Sequence, residues 1–308
     1  RGLGDVYKRQ IIHRDLYMYE GDLNYLREQQ EYMRALLRVL ASQMDGDREN
    51  LQGGQRLLDW PTSQMPDVIH AGYQALMVMA MEAGAEIGGW LGDRQMQSEC
   101  HGALRRLRRH VPDHLRNKQA AAMLVLAGLA DPGKVCRTVI ARGGAEGFST
   151  FYGYYMLEAL AEGGLYDEAL QIISDYWGAM LDLGATTFWE DLNYAHAAGA
   201  ARIDEPVPAG KFDIHAESGA YCYKGLRHSL CHGWASGPTP WLSRHVLGIV
   251  PLEPGCKSVA VRPHLGHLKW AEGTFPTPWG VIRVRHERGA DGKVSTSVSA
   301  PDGVRVVR

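Results

Sequence analysis

No stretch of this 308-residue sequence approaches the ~18 consecutive apolar residues of a membrane-spanning helix, although 45% of its residues are hydrophobic. A membrane partner is therefore not expected. Clustered positive charge is equally scarce: 33 Lys and Arg face 35 Asp and Glu, for a formal net charge of −2. That balance lacks the basic footprint of a nucleic-acid-binding surface. The densest basic stretch, Arg105-Arg106-Leu107-Arg108-Arg109, is interrupted by an apolar residue at helical spacing and reads as a solvated helix face. Cysteines number five (100, 136, 222, 231 and 256), an odd and scattered set with no CxxC pair. This argues against a disulfide framework or a zinc site, and fits a reducing cytoplasm. Cys222 and Cys231, the nearest pair, read as small packing hydrophobes. No metal and no cofactor is expected. The N-terminus also lacks the basic region and apolar stretch of a secretory signal.

What is present is mostly helical patterning. Over residues 23–40 the apolar residues Leu26, Met33, Leu36, Leu37 and Leu40 recur at helical intervals. Residues 71–91 form a second such segment, whose Met77, Met79 and Met81 read as adaptable core filler. Further helices are expected over 104–109, 118–129, 151–161, 166–183 and 236–247. Short breaks of one style separate them: Glu20-Gly21-Asp22, Leu91-Gly92-Asp93 and Glu162-Gly163-Gly164. They recur roughly every 70 residues, the length of two helices with their connections. Repeated α-hairpins on that scale predict an α/α toroid whose inner helices and loops line a pocket. A helical solenoid is the alternative, but the repeats share turn positions rather than a sequence signature.

The style changes at residue 251. Val259-Ala260-Val261-Arg262, Val281-Ile282-Arg283-Val284-Arg285 and residues 294–298 alternate with period two, and Gly289-Ala290-Asp291-Gly292 marks a hairpin turn. Residues 251–308 therefore read as a small antiparallel β domain, entered through Pro251-Leu252-Glu253-Pro254-Gly255. Residues 11–250 read as the helical domain. The first ten residues, RGLGDVYKRQ, match nothing that follows in style. They resemble the adapter-derived tails found on fragmentary reading frames, so native sequence is expected to start near Ile11.

Three stretches carry side chains too costly for plain connectors. In Leu58-Asp59-Trp60-Pro61-Thr62-Ser63, Pro61 blocks helix continuation while Asp59 and Trp60 can meet a polar ring from edge and face. An Asp capping a turn, with Trp in the core, explains the same residues. The second, GATTFWEDLNYAH (184–196), sets Glu190 and Asp191 directly after Phe188 and Trp189. A plain helix start explains it if Thr186 or Thr187 caps and the acids sit exposed in the first turn. A carboxylate held beside aromatics is also what carbohydrate chemistry uses, because rings stack on sugar faces and exclude water. The third, residues 229–238, places His232 and Trp234 with one small residue between them where a turn enters the last helix.

TTFWE, AYCYKGLRHSLCHGWASGPTPWL and VLGIVPLEPG together resemble the C-terminal half of bacterial α-L-rhamnosidases of glycoside hydrolase family seventy-eight. LDWPTS and DLYMYEGD fit the same six-hairpin domain, so the likeness runs from about Ile11 to the end. The resemblance implies a mainly α (α/α)6 six-hairpin toroid, incomplete at its N-terminus, followed by a β-sandwich. It also implies hydrolysis of terminal α-L-rhamnosides with inversion, which needs one carboxyl group as acid and another as base. Glu190 is the implied general base. Trp60 and Trp189 would line the sugar pocket with Asp59 and Trp234 beside them, and His232 would bond a sugar hydroxyl or the water's partner. The family's general acid lies in an upstream motif of the form Asp-Cys-Pro-x-Arg-x-Glu, which this sequence lacks. The sequence is thus expected to be a fragment that is weakly active or inactive alone. Its implied partner is a rhamnose-containing oligosaccharide or glycoside, and a homo-oligomer is left open. The alternatives are another six-hairpin glycosidase, and a non-catalytic carbohydrate-binding or scaffold protein that kept the aromatics and lost the acid.

Overall fold

The structure, a computed structural model, describes residues 4–51, 56–217 and 228–308. The chain separates into two compact units, one of residues 1–56, 70–113 and 242–308 and the other of residues 57–69 and 114–241.

The first unit opens with two helix pairs. Helix α1 (Gly4–Glu20) runs unbroken across residues 10 and 11 and turns at Gly21 into α2 (Leu23–Ser42). Asp22 starts α2 by accepting from the backbone N–H groups of Asn24 and Tyr25, two of the donors that a helix N-terminus leaves unsatisfied. Its buried stripe is Leu26, Met33, Leu37 and Leu40. Helix α3 (Pro66–Leu91) is buried along most of its length, with Met77 and Met81 fully buried, Met79 half-buried and Glu86 exposed. Helix α4 (Arg94–Leu107) begins ten residues before the expected 104, because Asp93 caps it by accepting from Met96 N at 3.0 Å. The same carboxylate takes Arg34 Nε at 2.6 Å and Gln30 Nε2 at 2.9 Å from α2. These bonds hold its pKa down at about 2, the Arg34 contact contributing most. Between the pairs lies a two-strand hairpin, β1 (Met44–Asp45) with β2 (Arg48–Glu49).

The β region belongs to the same unit. Strand β3 (Ile249–Pro251) pairs antiparallel with β4 (Ser258–Val261), and β4 pairs parallel with β8 (Arg305–Val307). A second sheet is antiparallel throughout: β5 (Trp270–Thr277), β6 (Gly280–Arg288) and β7 (Val294–Ser299). Gly289-Ala290-Asp291-Gly292 makes the β6–β7 turn, closed by Gly289 N–H to Lys293 O at 2.8 Å. Ile249, Cys256, Val259, Val261, Ile282 and Val284 form the core of the two sheets. The mostly helical fold with repeated pairs, followed by small β sheets, agrees with the expectation; the parallel β4–β8 pair is the exception to antiparallel pairing.

The β region meets the end of the first helix. Cys256 Sγ lies 3.6 Å from Tyr19 O, and a Cβ added to Gly21 (φ +74°) would stand 2.7 Å from Gly255 Cα. Backbone meets backbone there, so Gly21→Ala adds a collision to the left-handed penalty of about 1–2 kcal/mol. Gly46 (φ +59°) has open space around its missing Cβ and incurs the penalty alone. In thermal melts of the chain, Gly21→Ala is expected to lower Tm clearly more than Gly46→Ala; equal shifts would mean that the close approach is not there.

The second unit holds the remaining helices. Helix α5 (Lys118–Leu126) packs on α7 (Gly153–Glu162), with α6 (Pro132–Val135) and a π turn, Cys136–Ile140, between them in sequence. Helix α7 turns at Gly163 and Gly164 into α8 (Tyr166–Ile172), which continues through a π turn, Ile173–Trp177, into α9 (Gly178–Asp182). Trp241 is fully buried and donates from Nε1 to Leu157 O on α7 at 3.0 Å.

Candidate active site

All six residues singled out in the sequence lie in the second unit. After α9, residues 184–193 form no helix start; the next helical turn is the short Tyr194–Ala197. Thr186 and Thr187 are therefore not caps. The loop runs beside residues 229–232 instead. Glu190 N–H donates to Ser229 O at 2.9 Å, His232 N–H to Phe188 O at 2.8 Å, and Thr187 Oγ1 to Leu230 O. Glu190 is 4% exposed and Asp191 7%, so the acids are not the solvated first-turn acids of a plain helix start.

Glu190 is held at every polar group of its backbone. Its carbonyl accepts from Thr150 Oγ1 at 2.5 Å and from Trp234 Nε1 at 2.8 Å. Its carboxylate Oε2 accepts from Ser229 N–H at 2.9 Å. A backbone N–H donating to a carboxylate oxygen is a charge-assisted hydrogen bond, and a side chain fixed this way keeps one direction.

Asp59 joins the same cluster from another loop. It caps the 3₁₀ turn Trp60–Thr62: Oδ1 accepts from Trp60 N at 2.8 Å, and Asp59 N–H donates to Thr62 Oγ1 at 3.1 Å. Its other oxygen, Oδ2, accepts from Ser149 Oγ at 2.5 Å. Ser149 and Thr150 are neighbours, so one dipeptide ties Asp59 to Glu190. Trp60 is half-buried rather than core.

The aromatic residues divide by exposure. Trp234 stacks on Phe151 with centroids 5.2 Å apart and an 18° interplanar angle, while the His232 ring sits 4.2 Å from the Trp234 ring. Both His232 and Trp234 are half-buried. Trp189 has no accessible surface, and its Nε1 has no hydrogen-bond partner. Its ring meets His215 edge-on, with centroids 4.5 Å apart. A cavity of 440 Å³ opens beside the loop, walled by Trp177, Met180, Phe188 and His232. Trp177 is fixed there by Nε1 donating to Ala235 O at 2.8 Å.

Residues 220–227 of the motif that includes His228 and Ser229, Cys222 among them, lie outside the described residues. Ser149, Thr150, Phe151, His215 and His228 escaped the sequence reading, although all bond to or pack against the residues it named. Asp191 N–H donates to His228 Nε2 at 3.2 Å, and His228 Nδ1 lies 3.4 Å from His215 Nδ1. Burial, with the neighbouring His228 charge adding to it, pushes the His215 ring down to about 4; burial lowers His228 as well. For both rings burial favours the neutral form. Among the described residues, no three His, Cys, Asp or Glu side chains come together to hold a metal ion, and no helix is long and apolar enough to cross a membrane.

The clamped buried carboxylate and its half-buried aromatic neighbours thus sit on a scaffold of repeated helix pairs. Residues 248–307 match the family described as bacterial alpha-L-rhamnosidase C-terminal domain. Among solved structures, the chain is similar to the α-L-rhamnosidase of Streptomyces avermitilis in complex with L-rhamnose (TM-score 0.73, 21% identity, 94% of this chain and 28% of that one). It is also similar to a family seventy-eight rhamnosidase of Bacillus sp. GL1 (TM-score 0.77, 20% identity, 97% and 32%). A third is the α-L-rhamnosidase from Dictyoglumus thermophilum (TM-score 0.74, 16% identity, 94% and 33%). The chain spans about a third of the length of these proteins, and at such identities the likeness is one of fold. No curated protein sequence matches the chain.

Proposed function

We propose that this chain is the C-terminal part of an inverting α-L-rhamnosidase that releases terminal L-rhamnose from a glycoside, with Glu190 as general base. The observation that supports this most is the clamp on Glu190: a buried carboxylate with one oxygen on Ser229 N–H and its own carbonyl held by Thr150 and Trp234. Inversion requires a water held opposite the leaving oxygen and a fixed carboxylate to take its proton. In this reading Glu190 takes that proton, and the acid that protonates the leaving oxygen comes from sequence outside residues 1–308. His232 and Trp234 face the sugar as a polar edge and an apolar face. Asp59 sets Trp60 through its cap and Ser149 through its second oxygen. Trp189, with no accessible surface, backs the pocket. The thiols of Cys100, Cys136, Cys231 and Cys256 are all free, which fits action in a reducing cytoplasm.

The experiment is a titration of L-rhamnose into the chain, followed by ¹H–¹⁵N NMR. Shifts confined to the indoles of Trp60 and Trp234 and the amides of residues 188–191 and 229–234 are expected. They should weaken in His232→Ala and Trp234→Ala, whose half-buried rings can be removed with modest loss of core. Saturating L-rhamnose that moves none of these signals would count against a rhamnose site here, leaving a six-hairpin glycosidase for another sugar.

A further inference from the structure

We propose that His228, itself oriented by His215, is a neutral brace that positions the Glu190 carboxylate; the proposal rests on Glu190 being the general base. The peptide linking Glu190 to Asp191 is held at both ends. Its carbonyl accepts from Thr150 Oγ1 and Trp234 Nε1, and its N–H donates to His228 Nε2 at 3.2 Å. A peptide plane fixed at C=O and at N–H cannot swing, and the Cα that carries the Glu190 side chain lies in that plane.

The hydrogen bonds set the protons on both rings. His228 Nε2 accepts from a backbone N–H, so a neutral His228 carries its proton on Nδ1. That nitrogen lies 3.4 Å from His215 Nδ1, which must then accept. The His215 proton is left on Nε2, a buried nitrogen with no hydrogen-bond partner, on a ring standing at 77° to Trp189. The chain of donors therefore runs one way, from Asp191 N–H to His228 and from His228 to His215.

Neutrality is the point of using two imidazoles. A cation at position 228 would draw on the Glu190 charge and weaken it as a base. An imidazole with a bare Nε2 holds the same peptide and adds no charge. Around His228 the charged groups oppose one another: Glu190 favours its protonation, while His232 disfavours it. His228 in turn disfavours a proton on His215, whereas Asp213 favours one there. A proton on His228 Nε2 would face the Asp191 N–H, donor against donor, and break the brace.

The test uses the whole chain with ¹⁵N-labelled histidine and needs no substrate. At pH 7.5, long-range ¹H–¹⁵N spectra should show His228 protonated on Nδ1, His215 protonated on Nε2, and neither ring charged. On acidification, loss of protection of the Asp191 amide against hydrogen exchange should track the His228 ring. His228→Phe removes the acceptor and should speed Asp191 exchange by about tenfold, the size of one net hydrogen bond, and shift the Glu190 side-chain carboxyl ¹³C signal. His228→Gln, whose Oε1 can accept in place of Nε2, should restore most of the protection. His228 protonated on Nε2 or cationic at pH 7.5 would overturn the proposal, and so would Asp191 exchange left unchanged in His228→Phe. The tautomers are read on the unaltered chain, so a variant that fails to fold does not obscure them. Correct tautomers in an enzyme whose turnover ignores Glu190 would remove the base and leave the brace. Wrong tautomers in an enzyme that needs Glu190 would do the reverse.

Discussion

Glu190→Gln in a full-length enzyme that includes this sequence is expected to lower hydrolysis of an aryl α-L-rhamnoside by roughly 10²–10⁴-fold or more, the usual contribution of a general base. Glutamine keeps the length and shape of the side chain, and its carbonyl oxygen can still accept from Ser229 N–H as Oε2 does now. Only the proton acceptor is lost. Rhamnose binding and melting temperature are therefore expected to hold while kcat falls. Residues 1–308 alone should show almost no change on the same substitution, because their acid partner lies elsewhere in this account. The measurement is initial-rate kinetics on the full-length enzyme, its variant and the chain, with melts alongside.

Why the Glu190 loop could be found from sequence is itself physical. Aromatics directly before two acids are an unusual wording in a chain built from small helix formers, and the loop at 229–238 repeats the signal with His232 and Trp234. What was not legible is the part that orients them. Ser149 and Thr150 are small, sit where a helix start also explains them, and acquire meaning only when Asp59 and Glu190 arrive from loops about 90 and 40 residues away. His215 and His228 look like any lone histidines until they are brought within reach of Asp191.

The fold divides the same way. Helix α2 could be read because Leu26, Met33, Leu37 and Leu40 carry its stripe. The start of α4 could not, since its stripe begins with Met96, Cys100 and Ala103 among polar neighbours. Strand β5 was missed for a related reason. Its less exposed positions are Ala271, Gly273, Phe275 and Thr277, too small on average to show apolar alternation. At Gly273 the small residue is required, because a Cβ there would stand 2.4 Å from Leu247 Cδ1.

A second large effect is expected at Trp241, in the PTPWL stretch. Its side chain is fully buried and bonded to Leu157 O, so it is part of the framework rather than of the pocket. Trp241→Ala removes a large buried ring, leaves a cavity and strips the carbonyl of a donor, together worth about 3–5 kcal/mol. Against a total stability of roughly 5–15 kcal/mol, that is a third or more of the stability at most values in the range, and a large drop in the unfolding midpoint is expected. Trp270→Ala is the comparison: this ring is 59% exposed, and its loss should cost well under half as much. Urea melts of the chain and both variants measure the difference. Similar midpoints for the two variants would mean that Trp241 is not packed as described.

The central claim is that Glu190 draws the proton from the water that attacks the anomeric carbon. Azide tests it most directly, because it is a nucleophile that needs no base. With the full-length Glu190→Gln variant, an aryl α-L-rhamnoside and added azide, ¹H NMR of the products should show β-L-rhamnosyl azide and a rate rising with azide concentration. A variant that stays folded and hydrolyses the substrate at the unaltered rate, with no azide adduct, would contradict the assignment of Glu190 as the base.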